Sequence, residues 1–156
     1  MTLSDHASLV GPLRGGNATL HHLGLVVASI SAVAEEFQTL LSARQDGPIF
    51  HDPIQRVRVA FFRPHASQNP VFELVEPAAE DSPVSNFLKK GGGLHHVCYE
   101  IGDLEEGLLQ AEAVGMAIVA APAPAVAFGG RRIAWVLSKN RLLMELLERR
   151  TEGVES

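Results

Sequence analysis

The segment Leu20-His-His-Leu-Gly-Leu-Val-Val27 decides the fold, because it returns as Leu94-His-His-Val-Cys-Tyr-Glu-Ile101. Both copies are β-rich runs opened by Leu-His-His, and both lead into a helical stretch, so one plan is written twice. SAVAEEFQTLLS follows the first copy from Ser31, with Val33, Phe37, Leu40 and Leu41 at helical spacing. DLEEGLLQAEAVG follows the second from Asp103, with Leu104, Leu108, Ala111 and Val114 likewise placed. Ser31 and Asp103 are the expected N-caps and Gly115 the expected C-cap. Strand patterns come next: Val57 to Arg63 and Val71 to Glu76 in the first half, with a further strand around Pro48 to His51. The second half offers Met116 to Ala120, Arg132 to Leu137 and Leu142 to Glu148. Each half thus reads strand, helix, then two or three strands.

A half of about 55 residues cannot cover both faces of a sheet, so the halves are expected to pack as one domain. The chain of 156 residues then divides into a tail over 1–18, a single domain over 19–150 and a short tail over 151–156. Within the domain, module 1 spans about 19–77, a linker about 78–93, and module 2 about 94–148. The linker is expected to hold one helix from Pro83 to Lys90, capped by Ser82 and ended by Gly91. A net charge of −5 gives no general attraction to nucleic acid or anionic lipid. No run approaches the roughly 18 apolar residues of a membrane helix. The first residues lack a signal-peptide pattern, and Cys98 is the single cysteine, so a reducing cytoplasm is the default location.

Spacing adds chemistry to the repeat. His22 and His96 are 74 residues apart (96 − 22), and Glu73 and Glu145 are 72 apart (145 − 73). One His and one Glu therefore recur at nearly constant phase, and two pseudo-symmetric modules would bring all four to one central point. Strand parity puts His22, Gly24 and Val26 on one face and His21, Leu23, Leu25 and Val27 on the other; in the second copy His96, Cys98 and Glu100 oppose His95, Val97, Tyr99 and Ile101. The Leu/Val-rich faces suit packing under helices, which turns His22 and His96 inward. Glu73 lies in Val-Phe-Glu-Leu-Val and Glu145 in Leu-Met-Glu-Leu-Leu, where burying an unpaired carboxylate costs several kcal/mol unless something compensates it. A divalent ion such as Co, Ni, Mn, Fe or Zn is one compensation; an arginine partner, with the histidines as hydrogen-bonded core residues, is another.

At these residues the sequence resembles the vicinal oxygen chelate superfamily, whose paired βαβββ modules form a metal-binding cup in an α+β fold. Within it the methylmalonyl-CoA epimerase family is the nearest match. The resemblance runs from about Leu20 to Glu148 and is strongest in ELVEPAAEDSPVSNFLKKGGGLHHVCYEI, from Glu73 to Ile101. It implies His22, Glu73, His96 and Glu145 as ligands of one divalent ion per chain. It also implies a cytoplasmic homodimer, and an acyl-CoA thioester as small-molecule substrate. The chemistry implied is epimerisation at C2 through a metal-stabilised enolate, with Glu145 and Glu73 moving the proton. Two departures stand out. Val59 occupies a position where some of these epimerases carry a glutamate, and Val136-Leu-Ser-Lys-Asn replaces the usual His-Pro-Lys-Ser segment. His51, Asp52 and Gln55 are candidate stand-ins for the missing base. A glyoxalase-I-like lyase shares the His/Glu/His/Glu pattern, and a non-catalytic binding cup is the reading outside enzymes.

Other residues stand apart from that set. Arg56, Arg58, Arg63, Lys89, Lys90, Arg131 and Arg132 are basic groups suited to phosphate, against the plainer expectation of a solvated rim. Gly129-Gly130 marks a turn over the site, and Cys98 is expected to pack and not to react.

Overall fold

The computed structural model describes residues 18–65 and 70–150, so the expected tails lie outside the described residues except for Ala18. The chain runs β1 (Thr19–Val26), α1 (Ile30–Leu41), β2 (Arg44–Asp52), β3 (Val57–Arg63), β4 (Phe72–Pro77), α2 (Ser85–Lys89), β5 (Gly93–Ile101), α3 (Leu104–Ala113), β6 (Ala117–Pro124), β7 (Arg132–Leu137) and β8 (Leu143–Glu148). All eight strands form one curled sheet in the order β2-β3-β4-β1-β5-β8-β7-β6. β1 pairs in parallel with β4, β5 in parallel with β8, and β1 meets β5 antiparallel at the centre. The strand order reads the same outward from that central pair in both directions, which is the expected repeat of βαβββ.

Period-two alternation explains the layers. Leu25, Phe62 and Leu74 face α1 and pack on its Ile30, Val33, Ala34 and Phe37. Ile101, Ala134, Val136 and Leu146 do the same under Leu104, Leu108 and Ala111 of α3. The opposite face of the sheet is concave and carries Val26, Val57, Val59 and Val75 in one half, and Phe61, Cys98, Ile133 and Leu147 across the middle. Each fully buried Leu or Ile contributes about 1.5–3 kcal/mol, so the two helix layers anchor a sheet whose concave face is left for other work.

Helix ends depart from expectation. The cap of α1 is Ser29, not Ser31: Ser29 is extended and its hydroxyl accepts from the Ala32 N–H at 3.3 Å, so the helix starts early enough to bury Ile30. Leu40 and Leu41 extend past the sheet and are exposed. Asp103 caps α3 as expected, its Oδ1 accepting from the Glu106 N–H at 2.8 Å, and Gly115 follows in the left-handed region. The linker helix is only Ser85–Lys89, and the Ser82 hydroxyl makes no cap.

Candidate metal centre

His22 on β1, Glu73 on β4, His96 on β5 and Glu145 on β8 are all buried, and their ligand-type atoms lie within 4.8 Å of one another. The strands bring them together through register: Gly24 sits between Glu73 and His96, and Cys98 sits between Glu145 and His22. His22 Nε2 is 3.2 Å from His96 Nε2, 3.2 Å from Glu73 Oε2 and 3.6 Å from Glu145 Oε2. His96 Nε2 is 3.2 Å from each carboxylate. Donors bound at about 2.0–2.1 Å to one ion stand about 3.0 Å apart in octahedral and about 3.4 Å in tetrahedral arrangement. The four inward atoms are therefore spaced as the ligands of a single ion are, and the donor set fits a divalent cation of borderline softness. A second observation agrees: Glu145 Oε1 is buried with no hydrogen-bond partner among the described residues.

Electrostatics favour a charge of +2 at this point. Burial works against both imidazolium ions, yet Glu73, Cys98 and Glu145 outweigh it at His22, whose pKa is raised well above the ordinary value. At His96 burial is likewise outweighed by Glu145 and Glu73, and the pKa is raised. Burial would raise Glu73 and Glu145, but the two histidines hold both below the usual carboxylate range. Two carboxylates are thus balanced by two protons or by one divalent ion. Cys98 is buried and its thiol is pushed up to about 12, first by burial and then by Glu145, so it stays a thiol, as expected from its surroundings.

Aromatic rings fix the imidazoles. His22 stacks on Phe128 with centroids 5.9 Å apart and meets Phe61 edge-on, while His96 stands edge-on to Trp135 at 4.7 Å. Glu73, His96 and Glu145 open on a cavity of about 330 Å³ whose walls include Val57, Val59, Val75, Ala127, Ile133 and Trp135, with His22 buried beneath them. Val59 faces this cavity, so the missing carboxylate leaves an apolar wall. Of the three stand-ins, His51 is exposed and away from it, whereas Asp52 and Gln55 line it. Asp52 is fully engaged: Oδ1 accepts from the Ile54 and Gln55 N–H groups at 2.9 Å, and Oδ2 from the Val126 N–H at 3.2 Å. It clasps the end of β2 to the turn that carries Phe128. Asp52→Ala is expected to cost about 1–3 kcal/mol and to speed hydrogen exchange of the Val126 amide. Unchanged stability and exchange would remove Asp52 from this role.

None of the cavity's described lining residues is Lys or Arg. Arg56 pairs with Asp81, Arg58 with Glu76, Arg63 with Asp46, Arg131 with Glu100, and Arg132 with both Glu105 and Glu148. These arginines form a paired rim, in line with the plainer expectation. Sequence reasoning missed Phe128, Trp135 and the special need for Gly24; a glycine inside a strand is the available signal for the last, since it marks close approach of a neighbour.

Paired βαβββ halves closing on two imidazoles and two carboxylates define a class of cup-shaped domains. Residues 21–135 match the Glyoxalase/Bleomycin resistance protein/Dioxygenase superfamily, and the chain belongs to it. It is 29% identical over 131 residues to the ethylmalonyl-CoA/methylmalonyl-CoA epimerase of Cereibacter sphaeroides, covering 81% of this chain and 95% of that one. It is 33% identical to an uncharacterized protein of Bacillus subtilis over 83% of this chain and 91% of that one. Among solved structures, the methylmalonyl-CoA epimerase of Mycobacterium tuberculosis superposes with a TM-score of 0.74 at 23% identity, covering 85% of this chain and 89% of that one. Among the described residues no helix is long and apolar enough to cross a membrane.

Proposed function

We propose that this protein is a metal-dependent epimerase of a 2-substituted malonyl-type acyl-CoA, with methylmalonyl-CoA as the first substrate to test. The observation that carries the reading is the buried set of His22, Glu73, His96 and Glu145 at ligand spacing, open to an apolar cavity. The epimerase relatives support the choice of substrate. His22, Glu73, His96 and Glu145 would hold one divalent ion, of the Co, Ni, Mn, Fe or Zn group. Such an ion supplies Lewis acidity toward the substrate's thioester and carboxylate oxygens.

The chain's own groups do the rest. The apolar walls exclude water around C2 and accept the alkyl branch. Removal of the C2 proton needs a carboxylate at the cavity wall, and Glu145, which lines it, is the one assigned to that step. Return of a proton on the other face needs a second acid, which is the role assigned to Glu73. Lys89 ends the short α2 and Lys90 follows it, one helix along the chain from the cavity-lining Pro83 and Val84, and these two are the cations we assign to the CoA phosphates. A homodimer acting in the cytoplasm completes the reading.

Deuterium incorporation at C2 of methylmalonyl-CoA in heavy water tests it, with cobalt-loaded protein beside a chelated control. Ion-dependent incorporation is the expected result. Absence of exchange with the ion bound would remove the epimerase reading, and conversion of a glutathione hemithioacetal under the same conditions would put a glyoxalase-type lyase in its place.

A further inference from the structure

Two irregularities of the central strand pair place a second pair of imidazoles beside the first. Along β1 and β5, Leu20 pairs with Tyr99 and His22 with Cys98, so His21 is an extra residue on β1. Gly24 pairs with His96 and Leu25 with Leu94, so His95 is an extra residue on β5. A bulge of this kind interrupts the alternation of faces and re-aims a side chain. Parity alone sends His21 and His95 to the helix side, yet both rings stand on the concave side. His21 meets the rings of Phe61 and Phe128 edge-on at 6.3 and 5.4 Å, and His95 meets those of Phe87 and Trp135 at 4.8 and 6.3 Å. Each then bonds to the next residue: His21 Nδ1 lies 2.9 Å from His22 Nδ1, and His95 Nδ1 lies 2.9 Å from His96 Nδ1.

Such a contact between two ring nitrogens needs one N–H donor and one lone pair. Nε2 of His22 and of His96 face each other and the two carboxylates, so these are the nitrogens that must present lone pairs to an ion. The proton of each inner ring then belongs on Nδ1, donated outward to the bulged neighbour. We infer that His21 and His95 are positioning residues, each accepting a hydrogen bond from the Nδ1–H of the adjacent inner histidine and so locking its tautomer and ring direction for an ion. The inference rests on the proposed metal site. Its strength is duplication, since the same residue of each Leu-His-His copy is bulged, ring-packed and bonded to its neighbour at the same distance in two separate strands.

The test uses the full chain with His21→Phe and His95→Phe, which keep an aromatic ring among aromatic rings but remove the acceptor, beside His21→Asn and His95→Asn, which restore an acceptor near the Nδ1 position. Zinc affinity is measured by competition with a chromophoric chelator, and cobalt-loaded protein reports the ligand set by its visible absorption. The Phe variants are expected to bind roughly 10–100-fold more weakly, with the Asn variants recovering most of the loss and all four keeping the wild-type cobalt spectrum. Undiminished affinity in the Phe variants would overturn the inference, as would a cobalt spectrum showing a lost ligand, which would make the bulged histidines ligands themselves. Should a Phe variant fail to fold, nitrogen-15 spectra of the wild type decide: a coupling across the Nδ1···Nδ1 bond of each pair is expected, and its absence overturns the inference. A wild type that takes up no divalent ion sinks the metal site, whatever the variants do.

Discussion

Gly24→Ala is expected to abolish tight ion binding, and with it C2 proton exchange, in a protein that still folds. Gly24 lies on β1 between Glu73 and His96, and a Cβ built there falls closer than 3.0 Å to three ring atoms of His96. That ring has nowhere to retreat. It stands against Trp135 at 4.7 Å and is bonded to His95 at 2.9 Å, so a methyl at 24 must rotate the imidazole out of the ligand set or push β1 from β5. The backbone at Gly24 is outside the positive-φ region, which leaves sterics as the cause of the defect. Loss of a direct ligand should exceed the roughly 10–100-fold cost of losing an outer-shell partner. Zinc competition, with circular dichroism as the check on folding, measures it. A folded Gly24→Ala protein binding zinc within a few-fold of wild type would mean that His96 is not a ligand in the pose described.

The same position shows where the repeat is not symmetric. Cys98 is the counterpart of Gly24 in the second half, and there a side chain is accommodated beside His22. His96 lies flat across its glycine, while His22 leans on Phe128. The two histidines are held by different contacts, so the variants of the two halves need not be equivalent.

Much of this arrangement was legible in the chain. The Leu-His-His repeat and the constant His and Glu phase located the four converging residues, because period-two strands and a duplicated plan leave few ways to place them. Phe61, Val75 and Ile133 follow the same alternation onto the concave face. Bulges were not legible: whether His21 follows parity depends on which residue of β5 opposes Leu20, a long-range pairing that local pattern does not carry. Nor was the start of α1, where Ser29 and Ser31 are equally good caps by composition and the burial of Ile30 decides between them. The clasp from Asp52 to Val126 spans 74 residues and involves a backbone N–H, which no side-chain pattern announces.

Glu145→Gln should trade function for stability in the ion-free protein at alkaline pH. In the native state the pKa values of His22 and His96 are raised, so the stabilisation they give is fully present below their ordinary value of 6.5 and is lost as pH rises through the native values. Glu73 and Glu145 are shifted down, so theirs is present above the ordinary 4.5 and lost as pH falls. The ion-free cluster is therefore most stabilising between about pH 4.5 and 6.5. Above that window the folded protein holds up to two protons that the unfolded chain has released, a slope approaching about 2.7 kcal/mol per pH unit. Removing one carboxylate removes one of the charges that retain them, and the slope should fall to about half. Once pH has risen past the native values of both imidazoles, the metal-stripped variant is the more stable protein, because fewer buried charges then go unbalanced. The cost appears in chemistry. An amide in place of the Glu145 carboxylate has no charge for an ion and no oxygen able to take a proton, so C2 exchange should fall by about 10²–10⁴-fold. Urea unfolding of metal-stripped proteins at pH 6 and pH 9 gives the first result and deuterium exchange the second. Equal pH slopes would show that the cluster does not carry its protons as described, and retained exchange would move the proton transfer to another residue.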